Sequence, residues 1–340
     1  MRNVREAIKT KGDNAYRIRT LVLIGALIAI IAAQFIKTPA IMSNPLTIYN
    51  YFIKLVLSIA SVAFIASGVT FVIVTGNNDL STSSTLMLTV IMSCTITQKY
   101  YATLGPTGAS LMALTVPLLV GLICGLVNGI LVGVLKLNSF VATLGTQYAI
   151  QGANILYNGG LTASAKDGLE LFSFIGRGRV FGISFPLILL LACFLVLGFV
   201  LHKTVFGRKI FAVGGNSVAA RFSGIKSSRV VLAAYVMAGL MSSVAGIFMA
   251  SYTQTGDMLL GAGKEFNAII AVVLGGAVMS GGAGRMSGTL LGALFLGTLD
   301  MFYIQFGVTY MWQWVIRGIL MLVVIYINDR LELAKGRRKS

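Results

Sequence analysis

The sequence is poor in charge. Only 11% of its 340 residues are Asp, Glu, Lys or Arg, and 56% are hydrophobic, against about 25% charged in an ordinary soluble domain. A water-soluble enzyme of this length could not hide so much apolar side chain, because most of any protein's surface must still face something. Disorder is excluded for the opposite reason, since such a chain collapses. Acidic residues number ten against 27 basic ones, too few for the ladder of carboxylates that a proton relay or cation site needs. Histidine is nearly absent and cysteine scarce, one and three residues, with no Cys-x-x-Cys and no metal-ligand spacing. Cys94, Cys124 and Cys193 each sit inside an apolar run and read as small core residues. His202 ends an apolar run just before Lys203 and reads as an interfacial residue. These shortages leave an all-α polytopic membrane protein.

What the chain has in quantity is apolar runs. A helix needs about 20 mostly apolar residues to cross the hydrocarbon core, and the runs are too continuous for alternating barrel strands. The pattern predicts ten spans, over 20–36, 51–75, 80–97, 107–135, 138–157, 184–201, 230–251, 266–280, 287–304 and 310–328. The run 266–280 is shorter than a full crossing. The apolar stretch 20–36 lacks a good small-residue cleavage pattern, which predicts a retained span, not a signal peptide.

The formal charge of +17 is concentrated. Six Lys or Arg precede Thr20, six lie from Lys203 to Arg229, and five from Arg330 to Lys339. Short basic segments beside hydrophobic spans mark the cytoplasmic side. Six spans separate the first two basic segments and four separate the last two, so both termini and the 203–229 loop are expected in the cytoplasm. External segments would be 37–50, 98–106, 158–183, 252–265 and 305–309, although Arg177 and Arg179 run against the rule. Basic side chains interleaved with stacking aromatics, as nucleic acid would require, are not found; no nucleic acid is expected.

The 39 glycines cluster within spans. Gly121, Gly125, Gly129 and Gly133 recur every fourth residue, which sets them on one helix face where another helix can approach closely. Packing within the chain is the first reading of that stripe and a dimer seam the second. Two apolar runs are interrupted alike: Phe71–Val74 meets Thr75-Gly76-Asn77-Asn78-Asp79, and Ala271–Leu274 meets Gly275-Gly276, then Ser280-Gly281-Gly282-Ala283-Gly284. Breaks at corresponding places in two halves suggest an inverted internal repeat beside a permeation path; the other reading is a pair of ordinary cytoplasmic turns. Few ionisable residues lie in or beside spans. Asp79 and Glu265 could each cap a following helix, Asp300 and Arg317 could pair, and Lys54 is the fifth.

The loop after His202 is the most specific segment. Gly214-Gly215 is expected to break the chain, Asn216 or Ser217 to cap a short helix over 218–223, and Gly224 to end it. An exposed basic helix of this kind suits docking on a partner. Its sequence from Gly207-Arg208 through Ala212-Val213-Gly214-Gly215-Asn216 to Ala219-Ala220-Arg221-Phe222-Ser223-Gly224-Ile225 resembles the signature of permease subunits of ribose/xylose/galactose-type bacterial ABC importers. Four further segments resemble the same family in order and spacing: Thr75–Ser81; Gly125-Leu126-Val127-Asn128-Gly129 followed by Phe140–Gly145; Glu265–Gly276; and Trp312-Gln313 with Arg317-Gly318. Departures fall at Asn77, Asn78, Thr82-Ser83, Val218 and Asn267, and they bear on which substrate is carried.

The resemblance implies that 1–340 is one transmembrane permease domain of the bacterial inner membrane, with cytoplasmic tails over 1–19 and 329–340 and a coupling loop over 203–229. It also implies three partners within the bilayer or against it: an ATP-binding subunit, an extracytoplasmic sugar-binding protein, and a second permease chain, identical or related. Gly214, Gly215, Asn216, Ala219, Ala220, Arg221, Ser223 and Gly224 would couple to the ATPase. Thr75, Asn77, Asn78, Asp79, Glu265, Asn267, Gly275 and Gly276 would line the pathway. The chain has no GxxxxGK[ST], and Gly261-Ala262-Gly263-Lys264-Glu265 has the wrong spacing for one. ATP and Mg are therefore expected on the partner, and no catalytic residue, cofactor or metal on this chain. The competing functional reading is a motor-independent transporter or channel for a small polar solute, with a non-transporting scaffold a third.

Overall fold

The computed structural model describes the backbone of residues 2–334 and the side chains of 19–330. In chain order the helices are α1 (Arg2–Lys37), α2 (Pro45–Val74), α3 (Thr82–Gly129), α4 (Ser139–Asn158), α5 (Glu170–Arg177), α6 (Phe185–Lys203), α7 (Val205–Gly215), α8 (Ser217–Phe222), α9 (Ser227–Thr253), α10 (Lys264–Leu274), α11 (Met286–Gln305) and α12 (Tyr310–Ala334). The strands are two-residue pairings, β1 (Ala163–Ser164) with β4 (Thr255–Gly256) and β2 (Arg179–Val180) with β3 (Ile183–Ser184). The molecule is all-α. Among the described residues seven helices are long and apolar enough to cross a membrane, and each of the ten expected runs is a helix in whole or in part.

Four of those runs explain the difference between seven and ten. The runs 80–97 and 107–135 fall in α3, a single long helix bent at Gly105, whose φ of 67° and ψ of 178° are not helical. Its two arms fold back on each other: Ser93 donates to the Ala113 carbonyl at 3.1 Å and Asn128 to Ser81 at 2.6 Å. Each arm is about 35 Å long at 1.5 Å per residue, so α3 crosses twice. The third, α10, has 11 residues, about 16 Å, which is half a crossing. The stretch 275–280 that was expected to continue it is irregular. Helix α4 matches 138–157 and is less apolar than the others.

Helices α2 and α9 form the centre. Phe64 and Phe248 pack with ring centroids 5.9 Å apart, and Tyr235, Phe71 and Ile65 are fully enclosed. Three glycines of the stripe lie on the second arm of α3 and Gly133 on the π-helical turn that follows it, and all four face α9 within this chain. A Cβ on Gly125 would sit 2.5 Å from the Tyr235 carbonyl, and one on Gly129 2.9 Å from Leu232. The stripe therefore serves the α3–α9 contact of this chain, the first of the two readings.

Helix α1 begins at Arg2, so the residues expected as an N-terminal tail continue the first span; no proline before Thr20 interrupts it. Likewise α12 runs to Ala334, and residues 335–340 of the expected C-terminal tail lie outside the described residues. Arg19 of α1 donates to Asn328 of α12 at 3.5 Å. At the opposite ends of the helices, Gln305 of α11 donates to Thr38 at 2.6 Å. Helices α1 and α12 thus begin and end, respectively, at one end of the bundle. That is also the end where α2 finishes and α11 starts.

Candidate functional site

Both interruptions form breaks, and the first is held by side chains of other helices. In the first, Asp79 accepts from the Ser81 backbone N–H at 3.0 Å and from the Ser81 hydroxyl at 2.7 Å, closing a turn just ahead of α3. Asp79 is therefore not the helix cap the sequence allowed: Ser81 takes the N-cap position without a side-chain cap hydrogen bond, and Asp79 braces the turn before it. Helix α4 supplies two more contacts: the Asn78 N–H donates to Ser139 at 3.3 Å and the Leu80 N–H to Thr143 at 3.1 Å. Tyr235 of α9 donates to the Asn78 carbonyl at 2.7 Å. Asn128 donates to Ser81 and accepts from Thr146 of α4 at 2.7 Å. Freed backbone groups at membrane depth must find such partners or line a cavity.

The second half reaches its break by a different route. After β4 the chain descends along α3, with Gly256 against Ile91 and Gly261 against Ser83 and Met87. Helix α10 then starts inside the bundle, where Lys264 donates to Ser61, midway along α2, at 3.1 Å. Glu265 is the second residue of α10, where a negative charge suits the helix N-terminus. The N-cap is Gly263, at φ 75°, and no side chain caps there, so Glu265 is not the cap. Its carboxylate instead accepts from Gln147 of α4 at 3.4 Å. Among the described residues its second oxygen, with the hydroxyls of Thr82 and Ser83, is buried without a hydrogen-bond partner of ordinary geometry. The anticipated ion pair is present, Arg317 to Asp300 at 2.7 Å.

The expected pathway residues of the second half therefore lie at the two ends of α10, about 15 Å apart. Thr75, Asn77, Asn78 and Asp79 lie at the first break, Thr75 and Asp79 buried and the two asparagines partly exposed. Gly275 and Gly276 lie at the same end of the bundle, Gly275 against Gly288 at the start of α11. Glu265 and Asn267 lie at the other end of α10, and Asn267 shares a small cleft with Ser58, Asp300 and Arg317.

The 203–229 loop is two helices, not one. Gly214 and Gly215 form the last turn of α7, and the break comes at Asn216 (φ −162°). Neither glycine interrupts the helix, and the use of Gly214 is contact: a Cβ there would collide with the Val74 carbonyl. Asn216 caps α8 by accepting from the Val218 and Ala219 N–H groups at 3.0 and 2.9 Å. Gly224, at φ 79°, ends it while Ile225 donates back to the Ala220 carbonyl at 3.0 Å. Gly215, Asn216, Ala219, Arg221, Ser223 and Gly224 are exposed, and Gly214 and Ala220 are buried. Val218 and Phe222 stand 62% and 84% exposed beside Arg221, so α8 offers an outward face that is apolar and basic. Between this loop and the first break lies a cavity of about 520 Å³ lined by Thr75, Asn77, Lys136, Asn216 and Ser227.

Several contributing residues carried no role in the sequence. Asn128 and Thr143 fall inside two of the segments that carry the family resemblance, which is the signal that could have singled them out. Ser139, Thr146 and Tyr235 left none. His202 accepts the first N–H of α11, from Met286, at 3.2 Å. Cys94, Cys124 and Cys193 are unbridged, and no cluster of three potential metal ligands occurs among the described residues.

Comparison with known proteins agrees with this architecture. The chain is 37% identical over 287 residues to the ribose import permease protein RbsC of Bacillus subtilis (strain 168), covering 84% of this chain and 86% of that one. Against RbsC of Escherichia coli (strain K12) the identity is 33% over 307 residues, 90% and 92% of the two chains. Against the L-arabinose transport system permease protein AraH of the same strain it is 31% over 309 residues, 91% of each. No solved structure matches. The family described as "Branched-chain amino acid transport system / permease component" matches residues 51–325, which take in both breaks and the α7–α8 loop, and the chain belongs to that family of transport permeases.

Proposed function

We propose that this chain is the transmembrane permease subunit of an ATP-driven ABC importer that moves a monosaccharide of the ribose or arabinose kind into a bacterial cell. The observation that carries the reading is the extent of its likeness to the ribose and arabinose permeases, over nine-tenths of the chain in two cases. The exposed face of α8 supports the division of labour. A capped helix with Val218, Arg221 and Phe222 outward fits a groove on an ATP-binding partner, which would hold ATP and Mg and perform hydrolysis. A sugar-binding protein would deliver substrate from the opposite side, and a second permease chain, identical or related, would complete the pathway. The basic residues of the loop and termini favour a cytoplasmic location for both.

In the pathway, amide and hydroxyl groups around Asn77, Asn78 and Asn267 suit a neutral polyol better than an ion. Selectivity would come from the binding protein, so these residues, with Thr75, Asp79, Glu265, Gly275 and Gly276, would tune rate more than affinity. The test is substitution on the docking face. Gly215 has nothing within 4 Å of its missing side chain, so Gly215→Glu disturbs no internal contact, and Arg221→Glu reverses an exposed charge. Both are expected to abolish substrate-stimulated ATPase in the assembled complex while membrane insertion stays normal. Full stimulation in both variants would overturn the docking assignment.

A further inference from the structure

Three separated stretches of backbone meet at one point near the cytoplasmic end. The Gly282 N–H donates to the Val74 carbonyl at 2.8 Å, tying the second break to the last turn of α2. Gly281 lies so close that an added Cβ would stand 2.7 Å from the Gly76 nitrogen and 2.9 Å from the Gly214 carbonyl. A Cβ on Gly282 would stand 2.8 Å from Cα of Gly215, and one on Gly76 3.0 Å from the Ser280 carbonyl. Gly76, Gly281 and Gly282 also hold φ of 81°, 91° and 77°, a region L side chains rarely adopt. The first break, the second break and the end of α7 therefore touch main chain to main chain. A few residues away, Thr70 and Thr289 join α2 to α11 through hydroxyls 2.9 Å apart.

From this contact we infer that Gly76, Gly281 and Gly282, with Gly214, form the mechanical joint through which movement of the α7–α8 loop reaches both breaks at once. The inference rests on the importer reading above and adds to it the route of coupling. Side chains between the three stretches could change rotamer and absorb a displacement, whereas backbone packed on backbone has no such freedom, and close-packed interiors transmit strain. Because the loop's last helical turn presses on both breaks, a tilt of α8 and α7 moves the ends of α2 and α10 together. The three stretches behave as one body through the transport cycle, and the glycines act as positioning residues without touching substrate.

The experiment uses the whole complex in proteoliposomes, with its ATP-binding subunit and sugar-binding protein, and compares Gly281→Ala and Gly76→Ala with Gly25→Ala, whose added methyl meets nothing. The readout is ATP hydrolysed per sugar imported. Both junction variants are expected to raise that ratio about tenfold, within the span of ordinary site-to-site coupling, with the ATPase subunit still copurifying. An unchanged ratio, even with both rates reduced in parallel, overturns the inference. Hydrogen exchange in the unmodified complex keeps the inference testable should either variant fail to assemble: protection across 276–285 is expected to match with and without trapped ATP. Exchange that rises there in one state, while α11 stays protected, overturns it. A wild-type complex without ATP-driven uptake would refute the importer reading instead, and a coupled wild type with coupled variants would refute the joint alone.

Discussion

Asn128 is the residue whose removal most cleanly tests how the first break is held. Its amide donates to the Ser81 hydroxyl at 2.6 Å and its carbonyl accepts from Thr146 at 2.7 Å, and the side chain is fully buried. Within membranes such interhelical bonds contribute about 0.6 kcal/mol on average and at most about 1.7. Two bonds therefore place Asn128→Ala at about 1–3 kcal/mol of destabilisation, with Ser81 keeping its bond to Asp79 and Thr146 its bond to the Thr143 carbonyl. Ser81→Ala loses the Asn128 bond together with the Asp79 bond, so its cost falls in the same range. The decisive quantity is the cycle of the two single variants and the double, measured by SDS-induced unfolding in mixed micelles. The shared bond predicts a coupling energy between about 0.6 and 1.7 kcal/mol. Additivity within about 0.3 kcal/mol, the behaviour of independent sites, would mean that the bond does not hold the break.

Two further outcomes follow from geometry. Asp300 faces Arg317 at 2.7 Å and also lies within the field of Lys264, so Asp300→Ala strands two cations where Arg317→Ala strands none. Membrane yield and detergent stability should therefore fall further for Asp300→Ala, by up to about 2.5–3.5 kcal/mol on insertion scales, and equal losses would contradict the pairing. Gly125→Leu must push α3 away from the Tyr235 carbonyl, at a cost of about 1–3 kcal/mol, whereas Gly318→Ala enters open space. Thermal denaturation of the two purified variants checks that contrast, and similar stabilities would show that the stripe does not pack as described.

Much of this fold is legible in apolar run length because the bilayer imposes it: a span must be long, apolar and helical. Caps are equally legible, as Asn216 and Gly224 show, since they depend on a few adjacent residues. Legibility fails where meaning depends on a distant partner. Gly214-Gly215 reads as a chain break from local propensity, yet both residues are helical, and what Gly214 accommodates is the backbone of α2 and the second break. The run 266–280 reads as one short span because composition does not register that α10 is entered from within the membrane. Glu265 reads as a cap, but the nearby Gly263 takes the cap position and leaves the carboxylate to Gln147, more than a hundred residues away in sequence. The polar clamp is spread over two helices: Ser139, Thr143 and Thr146 share one face of α4 at spacings of four and three, but no spacing in the sequence joins them to Tyr235 of α9.

The central claim is that sugar moves through this chain only when a partner hydrolyses ATP. Reconstitution with the ATP-binding subunit and the sugar-binding protein, followed by uptake of labelled ribose and arabinose with ATP enclosed, tests it most directly. The account predicts accumulation against a gradient that disappears when ATP is replaced by a non-hydrolysable analogue. Equilibration of the sugar by this chain alone, at a rate indifferent to ATP, would contradict it and favour a transporter that works without a motor.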